Sequence, residues 1–204
     1  MKKIITVIGI LMFMSTWSLN AQRVIWQDDF ETSMGWSEYE DNAGKAIVKD
    51  GHLIIKSKEG WTFFSKCKTN LDGNKNFTIN TDIKAKRDMI SGRRIGIAFD
   101  YNDTKNYMAF YVENGFVWFI QCHNGVIIRE DKEPLKRNIL NTKKRDKDAP
   151  DMVFEIQKKG QSILLLVNDE ETIEMDDIIV KSNRIAFFVT NDQEAYFDNV
   201  KISQ

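Results

Sequence analysis

From Gln22 onward, apolar residues return at every second position, and no stretch keeps a 3.6-residue period over a helical length. Successive side chains of a strand point to opposite faces, so this alternation fits half-buried strands. Turn residues punctuate it. Asp50-Gly51 lies between apolar runs at 46–48 and 53–55 and suits the positive φ angles of a tight hairpin. Glu113-Asn114-Gly115 joins 107–112 to 116–122, and Lys159-Gly160 joins 153–157 to 163–167. Further strands are predicted over 61–66, 77–86, 94–101, 126–129, 172–175, 184–190 and 195–202. A total of about 12 to 14 strands in one domain requires two packed sheets, so the predicted class is an all-β, two-sheet antiparallel sandwich or jelly roll. One long interruption, 130–151, carries Lys132, Lys136, Arg137, Lys143, Lys144, Arg145 and Lys147 beside Asp146 and Asp148. The interspersed acids favour a solvated loop over a lid or an acidic-ligand patch, with room for a short helix over 134–140.

Residues 1–21 stand apart from this pattern. Lys2 and Lys3 precede a run that is almost wholly apolar to Trp17, and Ala21 is a small residue before the polar Gln22-Arg23. This is the layout of a secretory signal peptide cleaved after Ala21, and its apolar run is short for a membrane span. It predicts one domain over 22–204, in the periplasm or secreted, with no integral span after cleavage. The sequence has 204 residues, 42% of them hydrophobic, which suffices for one sizeable core. Lys and Arg number 29 against 30 Asp and Glu, so no global positive field exists to hold a nucleic acid.

Export makes the two cysteines informative, because an oxidising compartment lets thiols pair. Cys67 and Cys122 either form one disulfide or remain two buried thiols. With only His52 and His123, no His at zinc spacing and no Cys-x-x-Cys, a zinc hydrolase is excluded. No Gly-x-Ser-x-Gly is present, and Cys122 and His123, as neighbours on a strand, point to opposite faces.

Alternation also assigns faces. In 94–101, Ile95, Ile97, Phe99 and Tyr101 form the inward set, leaving Arg94, Gly96, Ala98 and Asp100 outward. In the following strand Met108, Phe110 and Val112 point inward while Tyr107, Ala109 and Tyr111 share the outer side. The small residues at 96, 98 and 109 predict a shallow trough between tyrosines. Strand 116–123 is apolar on both sides; the predicted register sends Phe119, Gln121 and His123 to the trough and Trp118 to the core. In 77–86, Phe77, Ile79 and Ile83 are inward and Asn80, Asp82 and Lys84 outward. The ligand-binding set is therefore Tyr107, Tyr111, Asp100, Arg94, Gln121, His123 and Asp82. The competing reading is a solvated sheet face on which tyrosines pack across strands.

Several short segments taken in order, Trp26-Gln27-Asp28-Asp29-Phe30 with Gly35-Trp36, Asp50-Gly51-His52-Leu53-Ile54-Ile55, Gly96-Ile97-Ala98-Phe99-Asp100-Tyr101 and Ala195-Tyr196-Phe197-Asp198-Asn199-Val200, resemble the concanavalin A-like lectin and glucanase superfamily in its laminin G-like branch. The resemblance spans nearly all of 22–204. It implies a curved sheet on which sugars bind by stacking on aromatic rings, in lectins, glycan hydrolases, peptide binders or structural modules. It also implies a structural calcium held by Asp198 and the Gly51 carbonyl, with Asp29 or Asp28 near by; calcium prefers such oxygen ligands. Glycosidases of the superfamily carry Glu-x-Asp-x-x-Glu, since retaining hydrolysis needs two carboxylates on one strand face. Here Glu174-Met175-Asp176 begins that pattern, but 178 and 179 are both isoleucine. The expected function is a secreted, non-catalytic, lectin-like module for carbohydrate, including cell-envelope glycan. A structural or protein-interaction module of the envelope is the alternative, and a glycoside hydrolase the less favoured one.

Overall fold

The computed structural model describes residues 22–86, 88, 90–135 and 151–204. The leader at 1–21, and most of the basic segment with its predicted helix, lie outside the described residues. Two antiparallel sheets account for the rest, with no helix among the described residues.

The larger sheet holds nine strands. They are β1 (Val24–Asp28), β2 (Tyr39–Glu40), β3 (Gly44–Lys49), β4 (His52–Ser57), β6 (Phe77–Ala85), β11 (Met152–Lys159), β12 (Ser162–Val167), β13 (Glu170–Met175) and β15 (Glu194–Ser203). Their spatial order is β13-β12-β11-β6-β15-β4-β3-β2, and β1 pairs with the second half of β15. The smaller sheet has six strands in the order β10-β9-β8-β7-β14-β5. These are β5 (Thr62–Lys68), β7 (Ile95–Asp103), β8 (Asn106–Glu113), β9 (Phe116–His123), β10 (Val126–Pro134) and β14 (Arg184–Thr190). Tight turns at Asp50-Gly51 and Asn114-Gly115 place both residues at positive φ, which matches the strand twist that two-residue hairpins require.

The sheets are clamped by rings that meet between them. Phe187 of β14 stacks on Phe197 of β15 at 4.4 Å, and Phe110 of β8 stacks on Phe154 of β11 at 4.7 Å. All four are essentially inaccessible, and burying each such ring stabilises the fold by about 1.5–3 kcal/mol. Asp28 is also buried, its Oδ1 accepting from the Phe30 amide and its Oδ2 from the Trp36 indole, while Trp36 stacks on Phe187 at 5.0 Å. The aspartate thus anchors the entry segment to the core.

Three expectations need correction. Residues 130–134 continue β10 as strand, because they pair with 116–120 of β9. In β9 the register is the reverse of the predicted one: Phe119, opposite Phe110, enters the main core, while Trp118, opposite Tyr111, faces outward. Tyr101 is likewise outward. A bulge between Phe99 and Asp103, with Asp100 at φ 49°, inverts the alternation there. Of the two readings open for the cysteines, the structure has the second: Cys67 and Cys122 are both free and buried. They sit on β5 and β9, four strand spacings of about 4.8 Å apart, far beyond the ~7 Å that a disulfide spans between Cα atoms.

Candidate functional site

The outer face of the six-stranded sheet carries a second apolar cluster, separate from the core between the sheets. Cross-strand register builds it. Trp118, Tyr111, Gly96, Phe188 and Phe64 lie in one row from β9 to β5, and Ile120, Ala109, Ala98 and Ala186 in the next. The predicted trough of small residues is there, but it is filled. Ala98, Ala109 and Ala186 have no exposed surface, because the rings of Phe64, Tyr101, Tyr107 and Phe188 lie over them at mutual centroid distances of 5.2 to 6.3 Å. Gly96 makes this closure possible, since a Cβ there would stand 2.4 Å from the Phe110 carbonyl oxygen and 2.9 Å from the Phe188 ring.

Charged groups border this cluster. The Arg94 guanidinium lies 5.1 Å from the Tyr111 ring centroid, and its Nε donates to Glu113 at 2.9 Å. Glu113 also accepts from the Gly92 amide at 2.6 Å, so both of its oxygens are engaged. The Lys132 ammonium lies 4.8 Å from the Trp118 ring, which is nearly parallel to Tyr111 at 6.0 Å. Such contacts favour the cation by the ring quadrupole. Burial pushes the hydroxyls of Tyr101 and Tyr111 up to about 12, so both remain protonated donors at any physiological pH. The Trp118 Nε1 is buried without a hydrogen-bond partner among the described residues.

At one end of this face the surface opens into a cleft of about 430 Å³. Tyr107 lines it together with polar residues Asn102, Asn106, Gln121, His123 and Lys181 and the acidic residues Asp100 and Asp177. Four of the predicted residues meet here: Tyr107, Asp100, Gln121 and His123. They do so around the sheet's end and not on one face, since Gln121 pairs with the inward Met108 whereas Tyr107 pairs with Cys122 on the outer side. Asp100 is a scaffold within the cleft, its Oδ1 accepting from the Lys181 and Ser182 amides at 2.7 and 2.6 Å. Arg94 and Tyr111 lie farther along the sheet, outside the cleft lining. Asp82 belongs to β6 in the other sheet, on its outer face, where it accepts from Asn199 Nδ2 at 2.8 Å. It therefore cannot share a site with Tyr107.

Phe64, Tyr101, Trp118 and Phe188 were missed as outer-face residues. The signal available was the double apolarity of β9 and β14, which indicates two packed faces rather than one.

On the far sheet, Asp198 of β15 lies opposite Asp82. Burial raises its pKa, and the neighbouring Asp82 and Asp29 raise it further against the Asn199 amide and His52. Gly51, at φ 70°, lies close to Glu31. Among the described residues no three His, Cys, Asp or Glu side chains form a metal cage, so a cation there would need backbone carbonyls as well. The Glu174-Met175-Asp176 segment sits at the edge strand β13 and just beyond it, with Asp176 accepting from Ser162 Oγ.

No protein-family profile matches the sequence, and no curated protein matches it either. Solved structures do. The carbohydrate-binding module CBM66 from Bacillus subtilis superposes with a TM-score of 0.57 at 20% identity, over 83% of this chain and 96% of that one. A Bacillus subtilis protein of unknown function with a galectin-like fold gives 0.62 at 10% identity, over 89% and 96%. The Bacillus licheniformis β-glucanase gives 0.59 at 12%, over 88% and 97%. At these identities the likeness concerns architecture alone: the chain is a jelly-roll β-sandwich of the galectin-like and concanavalin A-like kind.

Proposed function

We propose that this chain is an exported, non-catalytic carbohydrate-binding module of the laminin G-like branch, and that its sugar occupies the end cleft against Tyr107. The cleft carries the reading: an aromatic residue ringed by amide, imidazole, ammonium and carboxylate groups suits a sugar, whose C–H face stacks while its hydroxyls exchange hydrogen bonds. The same architecture serves a carbohydrate-binding module among the solved structures, which supports this class of ligand. The engagement of two carboxylates, one on the aromatic face and one in the cleft, supports a non-catalytic role. On the aromatic face Arg94 and Gly92 engage both oxygens of Glu113, and Asp100 Oδ1 accepts from two backbone amides.

A structural calcium is part of the proposal. Asp198 would hold it together with the Gly51 carbonyl and Asp29, and the cation would offset the charges of Asp82 and Asp29, which add to the burial that raises the Asp198 pKa. A glycan of the cell envelope is the expected partner. The alternative, a protein-interaction module, draws on the exposed Val126, Ile127 and Ile128 of the edge strand β10.

The test is a screen of neutral oligosaccharides and polysaccharides in calcium, comparing the native chain with Tyr107→Ala and Tyr107→Phe. Binding should fall by about tenfold in Tyr107→Ala, the scale of one lost ring contact, and persist in Tyr107→Phe. Silence across the screen, or binding indifferent to Tyr107, would overturn the cleft reading and leave the interaction module. Release of reducing ends from a bound glycan would overturn the non-catalytic part.

A further inference from the structure

We infer that the outer face of the nine-stranded sheet carries a second binding site, an electropositive groove for an acidic polysaccharide. This site is independent of the Tyr107 cleft, which lies on the other sheet.

Two cross-strand rows build the groove. Register places Lys45 of β3, Lys56 of β4 and Glu194 of β15 side by side, and Ile47, Ile54 and Tyr196 in the adjacent row. Period-two alternation then puts Lys49 on the far side of the Ile47-Ile54-Tyr196 strip, on the same face as Lys45. The resulting depression, of about 410 Å³, has a half-buried apolar and aromatic floor with lysines along both margins.

Its electrostatics are incompletely balanced. Lys45 and Lys56 stand directly opposite each other, an arrangement of like charges that a sheet disfavours unless an anion offsets it. Glu194 supplies part of the offset. Its carboxylate accepts from Lys86 at 2.9 Å and from the Tyr196 hydroxyl at 3.0 Å, with Lys56 at 3.9 Å. The same contacts fix the tyrosine ring in the floor. The remaining partners, Glu40 at 3.8 Å from Lys45 and Asp50 at 3.7 Å from Lys49, are more than two-thirds exposed and hold their lysines weakly.

A uronate or sulfate-ester sugar chain meets both features. Its rings pack their C–H faces on the strip, and its anionic groups reach the lysines at the margins. A neutral glycan leaves the lysines unused. A nucleic acid needs an extended positive field, which a chain of net charge −1 does not supply. A bilayer surface favours protruding apolar anchors, whereas Ile47 and Ile54 lie flush in the sheet.

The experiment is affinity electrophoresis of the full chain through gels containing polygalacturonate, dextran sulfate or neutral dextran. It is repeated for Lys45→Gln/Lys56→Gln and for Tyr107→Ala, with a thermal melt to verify folding. The expected result is retardation by one or both acidic polymers and not by dextran. Affinity should drop about tenfold in the lysine variant, the combined effect of two exposed charges, stay unchanged in Tyr107→Ala, and weaken with added salt. Lysine-independent retardation, or no retardation by either acidic polymer, would each overturn it. A lysine variant that melts early is replaced by Lys49→Gln, a single exposed charge, for which a drop of about threefold is expected. Because Tyr107→Ala reports only on the neutral-sugar cleft, failure of that reading and failure of this one give different patterns.

Discussion

Asp198 and Glu194 stand four residues apart on β15, and their surroundings drive their ionisation in opposite directions. Asp198 is partly desolvated and crowded by Asp82 and Asp29, so its pKa lies above the ordinary carboxylate value. Glu194 is also opposed by burial, but hydrogen bonds from Lys86 and Tyr196 and the charges of Lys86 and Lys56 outweigh it and bring its pKa down. The consequences for stability differ in sign. The folded chain holds the Asp198 proton more tightly than the unfolded chain does, so this residue favours folding at low pH, and that contribution is lost as pH rises through the raised value. Glu194 contributes stability above its unfolded pKa, which is lost as pH falls through the lowered folded one. Melting temperature followed from mildly acidic to neutral pH in chelator should therefore decline less with pH in Asp198→Asn than in the native chain. Calcium should raise the native melting temperature near neutrality and leave Asp198→Asn unmoved. An identical calcium response in both proteins would remove Asp198 from the proposed cation site.

At the scale of elements, the bulge in β7 decides what the aromatic face contains. Strand alternation assigned Ile95, Ile97 and Phe99 to the core correctly, and it failed at the next inward position because one extra residue at Asp100 turns Tyr101 outward. Nothing in the local pattern marks such an inversion, since aspartate at positive φ is common in turns as well as bulges. The register of β9 was illegible for a different reason. Both of its faces are apolar because both are packed, one against the other sheet and one under the protein's own rings, so hydrophobicity could not choose between Trp118 and Phe119. Asp100 holds the bulge and the segment at 181–182 together through two charge-assisted hydrogen bonds. Replacing it with alanine removes both and places a residue less tolerant of positive φ in the bulge, for an expected cost of about 2–4 kcal/mol. Hydrogen exchange at the Lys181 and Ser182 amides should accelerate before the rest of the sheet responds. Unchanged exchange there would mean that the bulge is fixed by the sheet alone.

For the whole molecule, period-two patterning and turn residues were enough to read the two-sheet architecture and most of its strands, because each strand buries at least one face. They could not say which strands share a sheet. That choice depends on contacts between residues far apart in sequence, which is why Asp82 and Tyr107 were joined in one candidate site although β6 and β8 lie in opposite sheets. The two cysteines illustrate the same limit and allow a direct check. Had Cys67 and Cys122 paired, closing a loop of that length would contribute about 4 kcal/mol to stability, and reductant would lower the melting temperature markedly. The sheet order keeps them apart, with Cys67 in the main core and Cys122 beside Tyr107 on the outer side. Burial, reinforced by Asp28, pushes the Cys67 thiol up to about 11, so it is scarcely ionised at neutral pH, and the thiolate is the reactive form. The native protein should therefore melt at the same temperature with and without reductant, and a thiol reagent should label Cys67 only after denaturation. Cys122, at 8% exposure in the wall of the end cleft, should react slowly in the native state, and faster once Tyr107→Ala opens the space beside it. A melting temperature that falls on reduction, or a denatured chain that shows no free thiol, would contradict the strand order of the six-stranded sheet itself.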